Sequence, residues 1–178
     1  MNDRNGPLEH AERLRALAPR PVVVAWLMAI GVDLLFNAGL FSRLFDQVRE
    51  PNLLPDAVLF RRIPVAYVGL AIAVSALAWL LDQTEWRGAL SGCILGCLAG
   101  LVIVSMGIVA LWTAIDMTGL FVAGGALVQV GEMAASGVVL GAFRAGGDRR
   151  LLTRRVLLFA LLAAVAGIVA ENLLEKNL

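Results

Sequence analysis

The sequence predicts an all-α fold, a polytopic transmembrane helix bundle, and three observations carry that prediction. Hydrophobic residues make up 60% of the 178 residues and charged residues only 16%, whereas a soluble domain runs to roughly 45–50% apolar and about 25% charged. The mean hydropathy is +0.82, more apolar surface than a soluble chain of this length can hide. The apolar residues also gather in long runs without charge, the longest being the 28 residues from Gly88 to Ile115. Such a run exceeds the ~20 residues needed to cross the hydrocarbon of a bilayer as a helix.

Taken in order, the first 21 residues are polar, and Pro7, Leu8, Ala11, Leu14 and Leu17 fall at roughly helical spacing between charges. This pattern predicts a short amphipathic helix on the membrane surface. The first span runs from Val22 to Ser42, too long for the core of a signal peptide and without a small-residue cleavage site after it, so it is expected to be retained. Residues 43–62 mix charge with leucine and aromatic residues and contain Pro51 and Pro55, which predicts an interfacial loop. A second span follows over 63–81. A short polar turn at Asp82, Glu85 and Arg87 then leads into the third span, 88–115, so the second and third spans must be antiparallel neighbours. A fourth span is expected over 120–143. Residues 144–155 hold five arginines with Gly146 and Gly147 and read as a basic loop. The last apolar run, Val156 to Ala170, is short, but Arg154 and Arg155 can snorkel at one end and Leu173 and Leu174 extend the other, giving a fifth span over 156–174. The rival reading places this segment on the membrane surface and leaves four spans.

Five spans put ten arginines on the N-terminal side of the membrane and five basic residues on the other, so the N-terminus is expected in the cytoplasm. Trp26, Trp79 and Trp86 would lie near that same face, with Trp112 near the opposite one.

Function is narrowed mostly by exclusion. The formal net charge is +1, which gives no electrostatic reason to invoke nucleic acid. The only histidine, His10, lies in the polar N-terminal segment, and the serines are scattered, so no catalytic residue is assigned and the chain is not expected to be an enzyme. Cys93 and Cys97 share a helix face one turn apart, where thiolates could bind a soft metal. No second pair or histidine completes a four-ligand site, and both stand beside glycines where small side chains suit packing, so neither a metal nor a cofactor is assigned.

Two sets of residues remain. Gly92, Gly96 and Gly100 recur every four residues in the third span, with Ala99, Ile103, Gly107 and Ala110 continuing the same side. In lipid no hydrophobic push brings helices together, so a seam of small residues marks a place where another helix comes close, and this span is expected to be the hub. The second set is ionisable. Asp33 lies near the middle of the first span with Asn37 one turn on, and Glu132 lies near the middle of the fourth with Gln129 and Ser136 at i−3 and i+4. Antiparallel spans would hold the two carboxyl groups at matching depth, each about 2 Å or less from the midplane at ~1.5 Å per residue. An ionised carboxylate there costs at least about 2.5–3.5 kcal/mol, and no lysine or arginine lies at mid-span. The pair must therefore be protonated, share a proton, or hold a cation; alternatively they are protonated groups that keep helices in register.

The chain resembles a bacterial family of small four-helix integral membrane proteins of unknown function. The likeness rests on Phe36, Phe41 and Phe45 closing the first span, Pro55-Asp56 before the second, and Gly92, Gly96 and Gly100 in the third. It covers roughly residues 22–143 and implies an architecture without a mechanism.

Two classes of function follow. One is a non-enzymatic, helix-packing accessory component of a membrane assembly, with the lipid bilayer and other membrane subunits, or a second copy of the chain, as partners. The other is a small proton- or cation-coupled carrier or channel using Asp33 and Glu132. The first is preferred at this stage, because a carrier usually shows repeat symmetry or helices broken at mid-membrane, and neither is visible in the sequence.

Overall fold

The computed structural model describes residues 19–41, 56–114, 118–146 and 148–175. The predicted surface helix before residue 19 and most of the predicted loop over 43–62 lie outside these residues. Among the described residues there are helices and no strand. In chain order they are α1 (Pro19–Leu34), which runs on into a wider π-helical turn (Leu35–Leu40), α2 (Asp56–Gln83), α3 (Ala89–Met106), α4 (Ile108–Ala114), α5 (Gly119–Arg144) and α6 (Arg149–Glu175). Four stretches are long and apolar enough to cross a membrane: Arg20–Asn37, Arg61–Gln83, Ala89–Ala110 and Gly119–Arg144.

Local chemistry sets several of the helix ends. Pro19 and Pro21 open α1, where proline costs little because the first N–H groups have no partner within the helix. The Thr118 side chain accepts the Phe121 N–H at 3.3 Å and caps α5. That helix ends one residue before Ala145, and Gly146, with φ of 81°, supplies the left-handed turn that follows. Asp148 caps α6 by accepting the backbone N–H groups of Arg150 and Leu151 at 2.9 and 3.2 Å. The arginine stretch expected to be a loop is thereby mostly helix, since charge alone does not end a helix and Asp148 starts one. In the same way α2 begins at Asp56, seven residues before the expected boundary, and carries Pro64 within it, as membrane helices tolerate. The long third run is interrupted at Gly107, which separates α3 from α4.

The packing is organised around α5, and not around α3 as the glycine spacing suggested. Half of the Gly119–Arg144 stretch is buried, against 17% of Ala89–Ala110. The glycine stripe covers only one side of α3, and the rest of that helix turns leucine and valine outward. α3 and α5 are antiparallel. A Cβ placed on Gly92 would overlap the Gly137 carbonyl oxygen and stand 3.1 Å from the Gly141 Cα; one on Gly96 would overlap the Met133 carbonyl oxygen and stand 3.0 Å from the Ala134 Cα; one on Gly100 would stand 2.8 Å from the Val130 Cα. Gly137 and Gly141 on α5 meet Gly92 and Gly88 equally closely, and the Gly88 N–H donates to the Gly141 carbonyl oxygen at 3.2 Å. Gly88 reaches that position with φ of 104°, a conformation that favours glycine. Gly107 stands apart from this seam: it is exposed, and its nearest neighbour is Ile103 of its own helix. Ala110 is exposed too.

α1 crosses the other side of α5, also antiparallel, with Gly131 against Val32 and Phe36. α6 lies along α1 in the same direction, its Ala160 so near Gly31 that a Cβ there would sit 2.8 Å from the Ala160 Cα. α2 is pinned at its end, where Arg144 Nε pairs with Asp82 Oδ1 at 3.6 Å and Arg144 Nη2 donates to the Thr84 carbonyl oxygen at 3.1 Å. The apolar core, including Val24, Ala25, Ala29, Val74, Leu77, Leu81, Met133, Leu140, Phe143 and Val156, fills the half of the bundle towards that ion pair.

These contacts predict opposite outcomes for two identical changes. Gly96→Ala should lower stability by about 1–3 kcal/mol, because its methyl group meets unyielding backbone. Gly69→Ala, on α2 with nothing within 4 Å of its position, should raise it by about 0.5–1 kcal/mol. Thermal unfolding in mild detergent reads both, and equal shifts would mean that α3 and α5 do not touch at Gly96.

Candidate functional site

The two mid-span carboxyl groups meet. Asp33 occupies the last turn of α1, Glu132 the middle of α5, and their carboxyl groups lie close enough to interact directly. Glu132 is only 6% exposed. Antiparallel packing of α1 on α5 aligns them. α2 contributes a third group, with Tyr67 Oη donating to Asp33 Oδ2 at 2.9 Å. Tyr67 is itself held by its backbone, whose carbonyl oxygen accepts from Trp26 Nε1 of α1 at 3.0 Å. Asn37 Nδ2 donates to the other oxygen of Asp33, and Gln129 Nε2 donates to Glu132 Oε2 at 3.4 Å. Three polar side chains, Tyr67, Asn37 and Gln129, thus donate to one carboxyl pair.

The backbone is irregular at the same place. Residues Leu35–Leu40 wind as a π-helical turn, closed by the Phe41 N–H donating to the Phe36 carbonyl oxygen at 2.7 Å, and Asn37 sits within it. Single π-helical turns in α-helices are frequent at functional sites. The first span therefore departs from regular α-helical winding within a turn of Asp33.

The surroundings are asymmetric along the bundle axis. Towards the Arg144–Asp82 pair, the apolar core closes over the site with Ala25, Ala29, Val74, Leu77, Met133 and Leu140. Towards the other end lie Asn37, which is exposed, and Gln129, which is half-buried. A polar stripe therefore leads from the carboxyl pair in one direction only.

Of the residues singled out from sequence, Asp33, Asn37, Gln129 and Glu132 come together. Ser136 does not join them. It is fully buried one turn further along α5, and its hydroxyl donates to the Ala25 carbonyl oxygen at 3.2 Å, clipping α5 to α1. Tyr67 was missed. It is the only tyrosine of the chain and lies inside the second apolar run, which is the signal that could have found it: a lone phenol at that depth needs a partner. Cys93 and Cys97 are free and half-buried on α3, and among the described residues no group of three or more His, Cys, Asp or Glu side chains gathers as a metal site would require.

No family model, curated protein or solved structure matches this chain.

Removing the phenol tests the cluster. Tyr67→Phe deletes one hydrogen bond to Asp33 and keeps the packing of the ring, so stability in detergent should fall by about 1–2 kcal/mol. The same change made together with Asp33→Asn should cost much less than the sum of the two. Additive costs would show that the two side chains do not interact.

Proposed function

We propose that this protein is a small, multi-pass, non-enzymatic membrane carrier or channel that exchanges protons at Asp33 and Glu132. The observation that carries this reading is the contact between two carboxyl groups from different helices at mid-span. Two carboxyl groups this close repel each other when both are charged, and a proton shared between them relieves that repulsion. Tyr67, Asn37 and Gln129 all present hydrogen-bond donors to the pair, which suits a proton site better than a metal cation needing bare oxygen ligands. The polar stripe through Asn37 and Gln129 offers a path towards one face, and the apolar core blocks the other.

The accessory-component reading offered the glycine seam as a face for a partner or for this chain, and that seam packs on α5 of the same chain, so its close approach is used internally. This supports the carrier reading over the assembly reading. The flux test is direct: wild-type protein in sealed vesicles should dissipate an imposed pH gradient, and Asp33→Asn and Glu132→Gln should each fall to the leak of empty vesicles while unfolding as cooperatively as wild type. Flux of Na⁺ or K⁺ without protons would reassign the ion. No flux of any of the three would leave the carboxyl pair as a packing device and favour the assembly component.

The topology that goes with this reading has five spans, with the N-terminus in the cytoplasm of a bacterial cell. α6 is 27 residues long, about 40 Å at ~1.5 Å per residue. It lies parallel to α1 and buries Val156 and Ala163 while turning Leu157, Leu158, Leu161, Leu162, Val165 and Val169 outward. A surface helix would keep one polar face, and this stretch has none. Single cysteines replacing Asp148 and Lys176, in a background lacking Cys93 and Cys97, should label from opposite sides of intact vesicles; labelling from the same side would reduce the count to four.

A further inference from the structure

The two carboxyl groups that meet at mid-span are supplied unequally with hydrogen bonds. Asp33 accepts one donor on each oxygen, Asn37 Nδ2 on Oδ1 and Tyr67 Oη on Oδ2 at 2.9 Å. Glu132 accepts one long bond, from Gln129 Nε2 at 3.4 Å. Their exposure differs in the same sense: Glu132 is buried beside the apolar core, whereas Asp33 is half-buried next to the exposed Asn37. Among the described residues no basic side chain pairs with either group. Burial penalises a carboxylate and each hydrogen bond donated to it stabilises it, so both differences favour Asp33 as the seat of the negative charge.

The directions of the bonds agree. An ionised carboxylate only accepts, whereas a protonated one has a hydrogen of its own to place. A proton on Asp33 Oδ1 would face the Asn37 amide hydrogens, and one on Oδ2 would force the Tyr67 hydroxyl to turn its own hydrogen off the acceptor it now meets. A proton on Glu132 displaces neither bond. We propose that the proton of the pair rests on Glu132 and the negative charge on Asp33, and that Tyr67 is the positioning residue that fixes this division by donating to Asp33. Trp26 acts one step further back. Its indole N–H holds the Tyr67 carbonyl oxygen at 3.0 Å, and Trp26 and Asp33 fall on one face of α1, so the phenol of α2 is set against the same helix that carries the carboxylate. The proposal rests on the proton-exchange reading, to which it adds which carboxyl group is the loaded one.

Infrared absorption of the full-length protein in mild detergent at neutral pH tests it, because a protonated carboxyl group has a C=O band that an ionised one lacks. Protein made by cell-free synthesis with ¹³C in the side-chain carboxyl of either glutamate or aspartate shows which residue owns that band, since the heavier carbon shifts it. The band should shift with labelled glutamate, stay in place with labelled aspartate, and disappear in Glu132→Gln. A band that follows the aspartate label, or both labels equally, would overturn the assignment, as would the absence of any band. Tyr67→Phe should move the distribution at least about tenfold towards Asp33, taking a hydrogen bond to a charged group at its usual strength, so that an aspartate-dependent component appears. Ser136→Ala, which removes a clip between α5 and α1 without touching the pair, should leave the band wholly with glutamate. If Tyr67→Phe changes nothing, or Ser136→Ala shifts the band as much, Tyr67 does not set the division. Flux is read separately. A glutamate band in a protein that moves no proton would leave this assignment standing and remove the carrier reading, and proton flux with an aspartate band would do the reverse.

Discussion

Lipid supplies no hydrophobic force between helices, so this bundle holds together only as closely as its backbones can approach. The constraint is met on α5. Gly137 and Gly141 let α3 come within backbone contact on one side, and on another Ser136 ties α5 to α1 through the Ala25 carbonyl. Glu132 lies between these contacts, so its position against Asp33 is set by packing that would exist without any charge. The site depends on the seam, and the seam depends on the absence of Cβ atoms at a few positions.

Much of this was legible in the sequence because both signals are periodic or solitary. Glycines at four-residue spacing show which side of α3 is narrow, and a carboxylate in an apolar run marks itself. What spacing cannot show is which helix faces the narrow side, and so α3 read as the hub when its partner α5 is the more buried helix. Gly107 continues the periodicity by count alone, but the helix breaks there and the residue faces away from α5. Ser136 shares a face with Glu132 yet lies about 6 Å along the axis, far enough to serve a different backbone. Tyr67 was overlooked because an aromatic residue in an apolar run reads as part of the lipid-facing surface until a partner is seen. The helix ends moved for a similar reason: Asp148 begins a helix inside an arginine-rich stretch, and α2 carries Pro64 through its early turns.

The wider turn of α1 was also invisible, since nothing in Leu35–Leu40 breaks a helix by composition. Its origin is tertiary. The turn packs against α6, and with Asp33 held by Tyr67 on one side and Asn37 reaching back to the same carboxyl group, an extra residue per turn is accommodated where the polar contacts are. A regular helix would continue the apolar stripe of α1 unbroken past Asp33. The irregular one instead leaves Asn37 exposed at the open end of the polar stripe.

The strengths of the helix contacts are unequal, and the inequality bears on how a proton could reach both faces. α3 and α5 touch so tightly that an added methyl group would overlap backbone oxygen, and α1 and α6 touch almost as tightly at Gly31 and Ala160. Between these two pairs the fit is looser: a Cβ on Gly131 would meet Val32 and Phe36 at 3.7 Å, an ordinary contact distance. The bonds that cross this seam are the Ser136 clip and the carboxyl pair itself. α2 touches both sides, through Tyr67 and Trp26 towards α1 and through Asp82 and Thr84 towards Arg144 of α5. The bundle therefore divides into two close-packed helix pairs bridged by α2, and the boundary between them runs through Asp33 and Glu132. Parting the two carboxyl groups would have to open the apolar core that Ala25, Ala29, Met133 and Leu140 build across the same boundary, so a proton path to the second face comes only at the cost of that packing.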